Sequence, residues 1–224
     1  MNRRFFLALL LATTAFAQNK QPDPAFAPVQ DVAGLPRVLI IGDSISIGYT
    51  AQTRELLKGK ANVHRNAGNA ESTVTGLAKL DAWLGAGKWD VIHFNWGLHD
   101  LKQFKDGKLT PGAPVWVTVE DYEKNLAKLV ERLKATGAKL IFANTTPVPE
   151  GANGRVPGLE LKYNEAAARV MKAAGVQVND LHALCVPNLA SWQKPRDVHF
   201  TAAGSAKLAE RVAAEISAAL EAKK

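Results

Sequence analysis

The run Arg37-Val38-Leu39-Ile40-Ile41-Gly42-Asp43-Ser44 constrains the fold more than any other stretch of this chain. Its apolar, largely β-branched residues are too few for a helix and fit a strand buried on both faces. The run stops at Gly42-Asp43-Ser44, and helix-compatible spacing follows. A strand covered on both faces belongs to a sheet with helices on both sides, so helices and further strands must alternate along the chain.

They do. The pattern predicts a helix over 50–58, a short strand over 61–65 and a loop over 66–73. Val74, Leu77, Leu80, Trp83 and Leu84 then fall at helical spacing, with Ser72 or Thr73 as N-cap. A third strand is expected over 90–96, and a surface excursion over 101–117. A helix over 120–135 is closed by Gly137, and a strand over 139–144 leads into a Pro/Gly-rich loop over 145–158. A helix over 160–174 closed by Gly175, a strand over 176–180 and a last helix over 202–222 complete the series. Strands alternating with helices imply βαβ units and a mostly parallel five-stranded sheet, with no repeat and no second domain.

Outside that series, Met1-Asn2-Arg3-Arg4 is a basic start, residues 5–15 are apolar, and Ala15-Phe16-Ala17 is a small-x-small site. This reads as a signal peptide over 1–17, so a secreted or periplasmic address is expected. The apolar stretch is short for a membrane span, and no stable membrane anchoring is expected. Residues 18–36 form an N-terminal arm and 37–224 the domain. The formal charge of +7 becomes +5 without Arg3 and Arg4, and no basic block or aromatic-interleaved stripe concentrates it, which argues against a nucleic-acid platform. The single cysteine, Cys185, excludes an internal disulfide and reads as a small buried residue. Unrelated histidine spacings give no metal site.

A serine at a strand's carboxyl edge, just ahead of a helix, sits where open α/β sheets place ligands. Helix-start N–H groups there favour negative charge. The same serine can equally be a simple helix cap. Near the C-terminus, Asp197-Val198-His199 immediately precedes the last helix. A histidine beside an aspartate is what a serine hydroxyl needs, one to take its proton and the other to orient the imidazole. Asp180-Leu181-His182 repeats the spacing but ends a strand, and reads as structural. His93 reads as buried and hydrogen-bonded within its strand, and His64 has no evident partner.

Gly42-Asp43-Ser44, the loop after the second strand, Gly97-Leu98-His99-Asp100 after the third and Asp197-Val198-His199 occur in one order. Together they resemble the four sequence blocks of the SGNH/GDSL hydrolase superfamily, over essentially the whole mature chain. The resemblance implies a flavodoxin-like three-layer α/β/α sandwich and a cofactor-free, metal-free serine esterase. It implies Ser44 as nucleophile and His199 as base, with the Ser44 N–H in the oxyanion hole.

Three departures stand out. His99 occupies the place of the third-block asparagine, whose side chain donates to the oxyanion; an imidazole N–H can do the same, depending on tautomer and pH. Aligning Asn66 with the second-block asparagine puts Glu71 where the oxyanion glycine stands, with Gly68 the alternative. Arg196 holds the place of the family's aspartate, leaving Asp197 as the orienting acid; in an extended segment residues two apart point to one side, about 7 Å apart at Cα. A backbone carbonyl orienting His199 is the alternative. Asp43, Asn95 and Asp100 are expected to line or brace the site, and Trp116 and Trp192 either to stack on sugar faces or to pack.

The expected activity is hydrolysis of acyl esters, acetyl esters above all, on a carbohydrate or other small ester, by a monomeric protein. A non-catalytic carbohydrate-binding protein and an acyltransferase using the same residues remain as alternatives.

Overall fold

The computed structural model describes residues 23–222. The expected signal peptide, and residues 18–22 of the arm, lie outside them. In chain order the elements are β1 (Arg37–Ile41), α1 (Ser44–Leu56), β2 (Asn62–Arg65), α2 (Thr73–Leu84), β3 (Val91–Phe94), β4 (Phe104–Lys105) and β5 (Lys108–Leu109). They continue with α3 (Val119–Lys134), β6 (Lys139–Ala143), α4 (Leu159–Ala174), β7 (Gln177–Asn179), α5 (Leu181–Cys185), α6 (Leu189–Trp192) and α7 (Ala202–Glu221).

The main sheet runs β2-β1-β3-β6-β7, and every neighbouring pair is parallel. This is the doubly wound, flavodoxin-like order that the resemblance implies. Helices α1 and α7 pack together, as do α2 with α3 and α3 with α4. Val38, Ile40 and Ile41 are fully buried, as a central strand covered on both faces requires.

Helix α1 starts at Ser44, earlier than the predicted start at 50, because Asp43 caps it: the carboxylate accepts the Ile45 N–H at 2.9 Å. The excursion over 101–117 carries the small antiparallel hairpin β4–β5. Residues 23–36 are pinned rather than loose. Val32 N–H donates to Asn62 Oδ1 (2.9 Å), and Arg54 donates to the Pro24 carbonyl (3.0 Å). Asp31 bridges Arg37 (2.7 Å) and His64 (2.6 Å), which corrects the expectation that His64 lacks a partner. His93 is buried and meets Asn179 Nδ2 at 3.2 Å. Burial lowers its pKa to about 4. Cys185 is buried, which pushes its thiol up to about 12. Asp180 accepts from Ala183 N–H at 2.9 Å and so caps α5, a structural role. Among the described residues, no helix is long and apolar enough to cross a membrane.

Candidate active site

Strand order reverses between β1 and β3, so the loops leaving their carboxyl ends flank the crevice where such sheets bind ligands. Ser44 opens α1 at that edge. Its own N–H belongs to the first helical turn and makes no hydrogen bond within the described residues. The preceding loop is tightly held: Gly42 N–H donates to Asn66 Oδ1 (3.1 Å), and Ser46 Oγ donates to the Asp43 carbonyl (2.7 Å).

The last loop arrives from the other end of the chain. Ser44 Oγ lies 2.9 Å from His199 Nε2, and His199 Nδ1 lies 2.7 Å from Asp197 Oδ1. The same carboxylate oxygen accepts the His199 backbone N–H at 3.1 Å. Asp197 therefore meets His199 through a tight turn rather than the extended segment expected, with Lys194 N–H bonded to the His199 carbonyl (2.9 Å). Desolvation alone would raise the Asp197 pKa, but the bonds from His199, its charge and that of Lys194 outweigh this and hold the carboxyl below its ordinary value. Arg196 is exposed, in the left-handed region (φ 58°), beside Gly151. The histidine and aspartate side chains remain 44% and 42% accessible, so the dyad faces open solvent.

The loop after β3 turns at Gly97 (φ 144°), where a Cβ would collide with Thr145 Oγ1. His99 follows, half-buried, with Nδ1 3.4 Å from Lys102 Nζ. Burial first, then the neighbouring charges of Lys102, Arg155 and His199, lower its pKa to about 3, so the ring is neutral at ordinary pH.

The oxyanion assignments of Glu71 and Gly68 need correction, and Asp43 and Asp100 brace the site without lining it. Glu71 does adopt a glycine-like backbone (φ 50°), but its N–H donates to Asn69 Oδ1 at 2.8 Å and is not free for an oxyanion. Its carboxylate accepts from Thr75 Oγ1 at 3.0 Å. Gly68 is exposed and lines a hollow with Phe26, Arg54 and His64, not with Ser44. Asp43 and Asp100 are buried (1% and 0% exposed) and cannot touch a substrate. Asp43 caps α1, and burial raises its pKa. Asp100 braces the second-block loop, accepting from Thr73 N–H (2.9 Å) and Thr73 Oγ1 (2.5 Å).

Asn95 donates to the Ala143 carbonyl at 2.8 Å and lines a small hollow with Asp43, Leu98 and Thr145. Trp116 lies against Phe104 and Trp192 against the core, so both pack. Two neighbours escaped the sequence reading, Lys102 and Arg155. Arg155 Nε donates to the Leu98 carbonyl at 3.2 Å. Lys102 lies three residues beyond His99 in the same loop, whereas Arg155 comes near from a distant part of the chain. Among the described residues, no group of three or more His, Cys, Asp or Glu is arranged to hold a metal.

Fold and contacts together define a class: a doubly wound parallel sheet carrying serine, histidine and aspartate in hydrogen-bonded series at its carboxyl edge. The model of the GDSL-like lipase/acylhydrolase family matches residues 40–207, and the chain belongs to that family of ester hydrolases. No curated protein sequence matches the chain. Several solved structures share the fold. A lipase/acylhydrolase from Enterococcus faecalis aligns with a TM-score of 0.69 at 19% identity, covering 81% of this chain and 95% of that one. An acetylxylan esterase from Geobacillus stearothermophilus aligns at 0.67 and 19%, covering 81% and 94%. The acetyl xylan esterase AlAXEase aligns at 0.67 and 15%, covering 80% and 99%.

Proposed function

We propose that this chain is an exported serine esterase that removes acetyl groups from carbohydrate esters. The observation that carries the reading is the unbroken series Ser44 Oγ, His199, Asp197, at 2.9 and 2.7 Å. In this mechanism His199 Nε2 takes the Ser44 proton as Oγ attacks the acyl carbon, and the Asp197 carboxylate stabilises the imidazolium. The tetrahedral oxyanion is met by the Ser44 N–H and the His99 side chain. His199 then returns its proton to the departing sugar hydroxyl. Water, deprotonated by His199, attacks the acyl carbon, and His199 returns that proton to Ser44 Oγ as the acyl–serine bond breaks and acetate leaves.

The openness of the dyad suits an ester presented on a polymer, and acetylxylan esterases among the fold neighbours are compatible with an acetylated sugar. The N-terminal basic–apolar–small pattern supports export. A fluorophosphonate probe followed by peptide mapping tests the reading. Labelling at Ser44, lost in His199→Ala, is expected; an unlabelled Ser44 in folded protein would sink it.

A further inference from the structure

His99 departs from the asparagine that the family pattern leads one to expect, and a histidine is a conditional donor. A neutral imidazole carries its hydrogen on one nitrogen only, so half of its tautomers present a lone pair where a donor is needed. An amide has no such ambiguity.

The surroundings of His99 remove it. Lys102 Nζ lies 3.4 Å from Nδ1, and an ammonium has three donors and no lone pair. Nδ1 must therefore accept, and the ring hydrogen must sit on Nε2. That nitrogen makes no hydrogen bond to another described residue, so its N–H is available to a ligand. The ammonium is itself held in place. It lies 4.3 Å from the ring centroids of both Phe104 and Trp116, which face each other at 5.0 Å and 32°. Phe104 belongs to the β4–β5 hairpin, and Trp116 N–H donates to the Lys102 carbonyl at 2.8 Å, closing the clamp. The excursion over 101–117 thus has a task beyond covering the surface.

We propose that Lys102 is a positioning residue that fixes His99 as the neutral Nε2–H tautomer, making it a constant donor to the oxyanion. The proposal rests on the esterase reading above and gives the excursion its part in that reaction. The other cations near His99 also keep its ring neutral. Arg155, bonded to the Leu98 carbonyl, opposes protonation of the ring, as His199 does when charged. Burial lowers the Lys102 pKa, with Arg155 adding to it, and the charges of Glu71 and Asp100 oppose that shift and favour the ammonium form.

The test combines nitrogen NMR with kinetics. In uniformly ¹⁵N-labelled protein at neutral pH, the His99 signals, assigned by their loss in His99→Asn, should show a protonated Nε2 and an unprotonated Nδ1. Lys102→Met should let the ring populate the Nδ1–H tautomer and lower kcat by about tenfold to a hundredfold, with KM nearly unchanged. Lys102→Arg, which keeps a donor-only cation, should restore most of both. In a His99→Asn background, Lys102→Met should have no further effect on kcat, because an amide needs no tautomer lock. An Nδ1–H ring in the wild-type protein would overturn the proposal. So would an equal loss from Lys102→Met in both backgrounds, the signature of a merely structural lysine. A tautomer that shifts while kcat holds would overturn the oxyanion role of His99, whereas fluorophosphonate labelling of Ser44 separately reports whether the esterase reading stands.

Discussion

Asp100→Asn isolates the energetic consequence of a buried acid at this site. Asp100 is fully buried; one oxygen accepts from Thr73 N–H and Oγ1, and the other has no partner. Burial raises its pKa to about 7, against the opposing pull of the Thr73 bonds. An acid whose folded pKa is raised binds its proton more tightly in the native state. Its stabilising contribution is therefore complete below the unfolded pKa and is lost as pH rises through the folded one. From an unfolded value near 3.9, the shift is worth about 4 kcal/mol in total. About 2–3 kcal/mol of it falls between pH 5 and pH 8. The amide matches the protonated acid in shape and cannot ionise. Urea unfolding of both proteins at the two pH values should show Asp100→Asn gaining about 2–3 kcal/mol on the wild type from pH 5 to pH 8. A difference that stays constant with pH would refute the argument, because it would mean that Asp100 titrates alike in the folded and unfolded chain.

Three further outcomes are expected. His93, with a pKa lowered to about 4, stays neutral in the fold but charges in the unfolded chain, so its contribution is present above about pH 6.5 and is lost as pH falls towards 4. His93→Gln should flatten that acid limb by about 3 kcal/mol in urea titrations, and an unaltered limb would exclude this source. Asp197→Ala should lower kcat by about 10²–10⁴-fold with little change in KM, and wild-type turnover would show that His199 is oriented by something else. Gly204→Ala drives a Cβ into the Trp192 carbonyl where α7 begins, and should cost about 1–3 kcal/mol by thermal unfolding. An unchanged Tm would show that this contact relaxes freely.

The elements that could be read from sequence are those whose cause is local. The β1 run, the Gly137 and Gly175 helix stops and the amphipathic α3 each carry their own pattern, and alternation gives a mostly parallel sheet, whereas the flavodoxin-like strand order is an expectation from the family resemblance. Asp197 could be chosen over Arg196 because it lies two residues from His199, although a turn and not an extended segment joins them. What stayed hidden depends on distant partners. His64 meets Asp31, 33 residues away, and Asp100 meets Thr73, 27 residues away. The fate of the Glu71 N–H is local, yet it follows from a positive φ that no glutamate advertises. Lys102 is only three residues from His99, but the Phe104 and Trp116 rings that flank its ammonium come from the hairpin and the far end of the excursion.

The central claim is that Ser44 attacks an acyl carbon. Its most direct measurement is acetate release from p-nitrophenyl acetate, and then from acetylated xylo-oligosaccharide, by the wild-type protein beside Ser44→Ala. The account predicts turnover by the wild type and none above background in Ser44→Ala, with both proteins unfolding at similar temperature. Turnover retained in Ser44→Ala would contradict it.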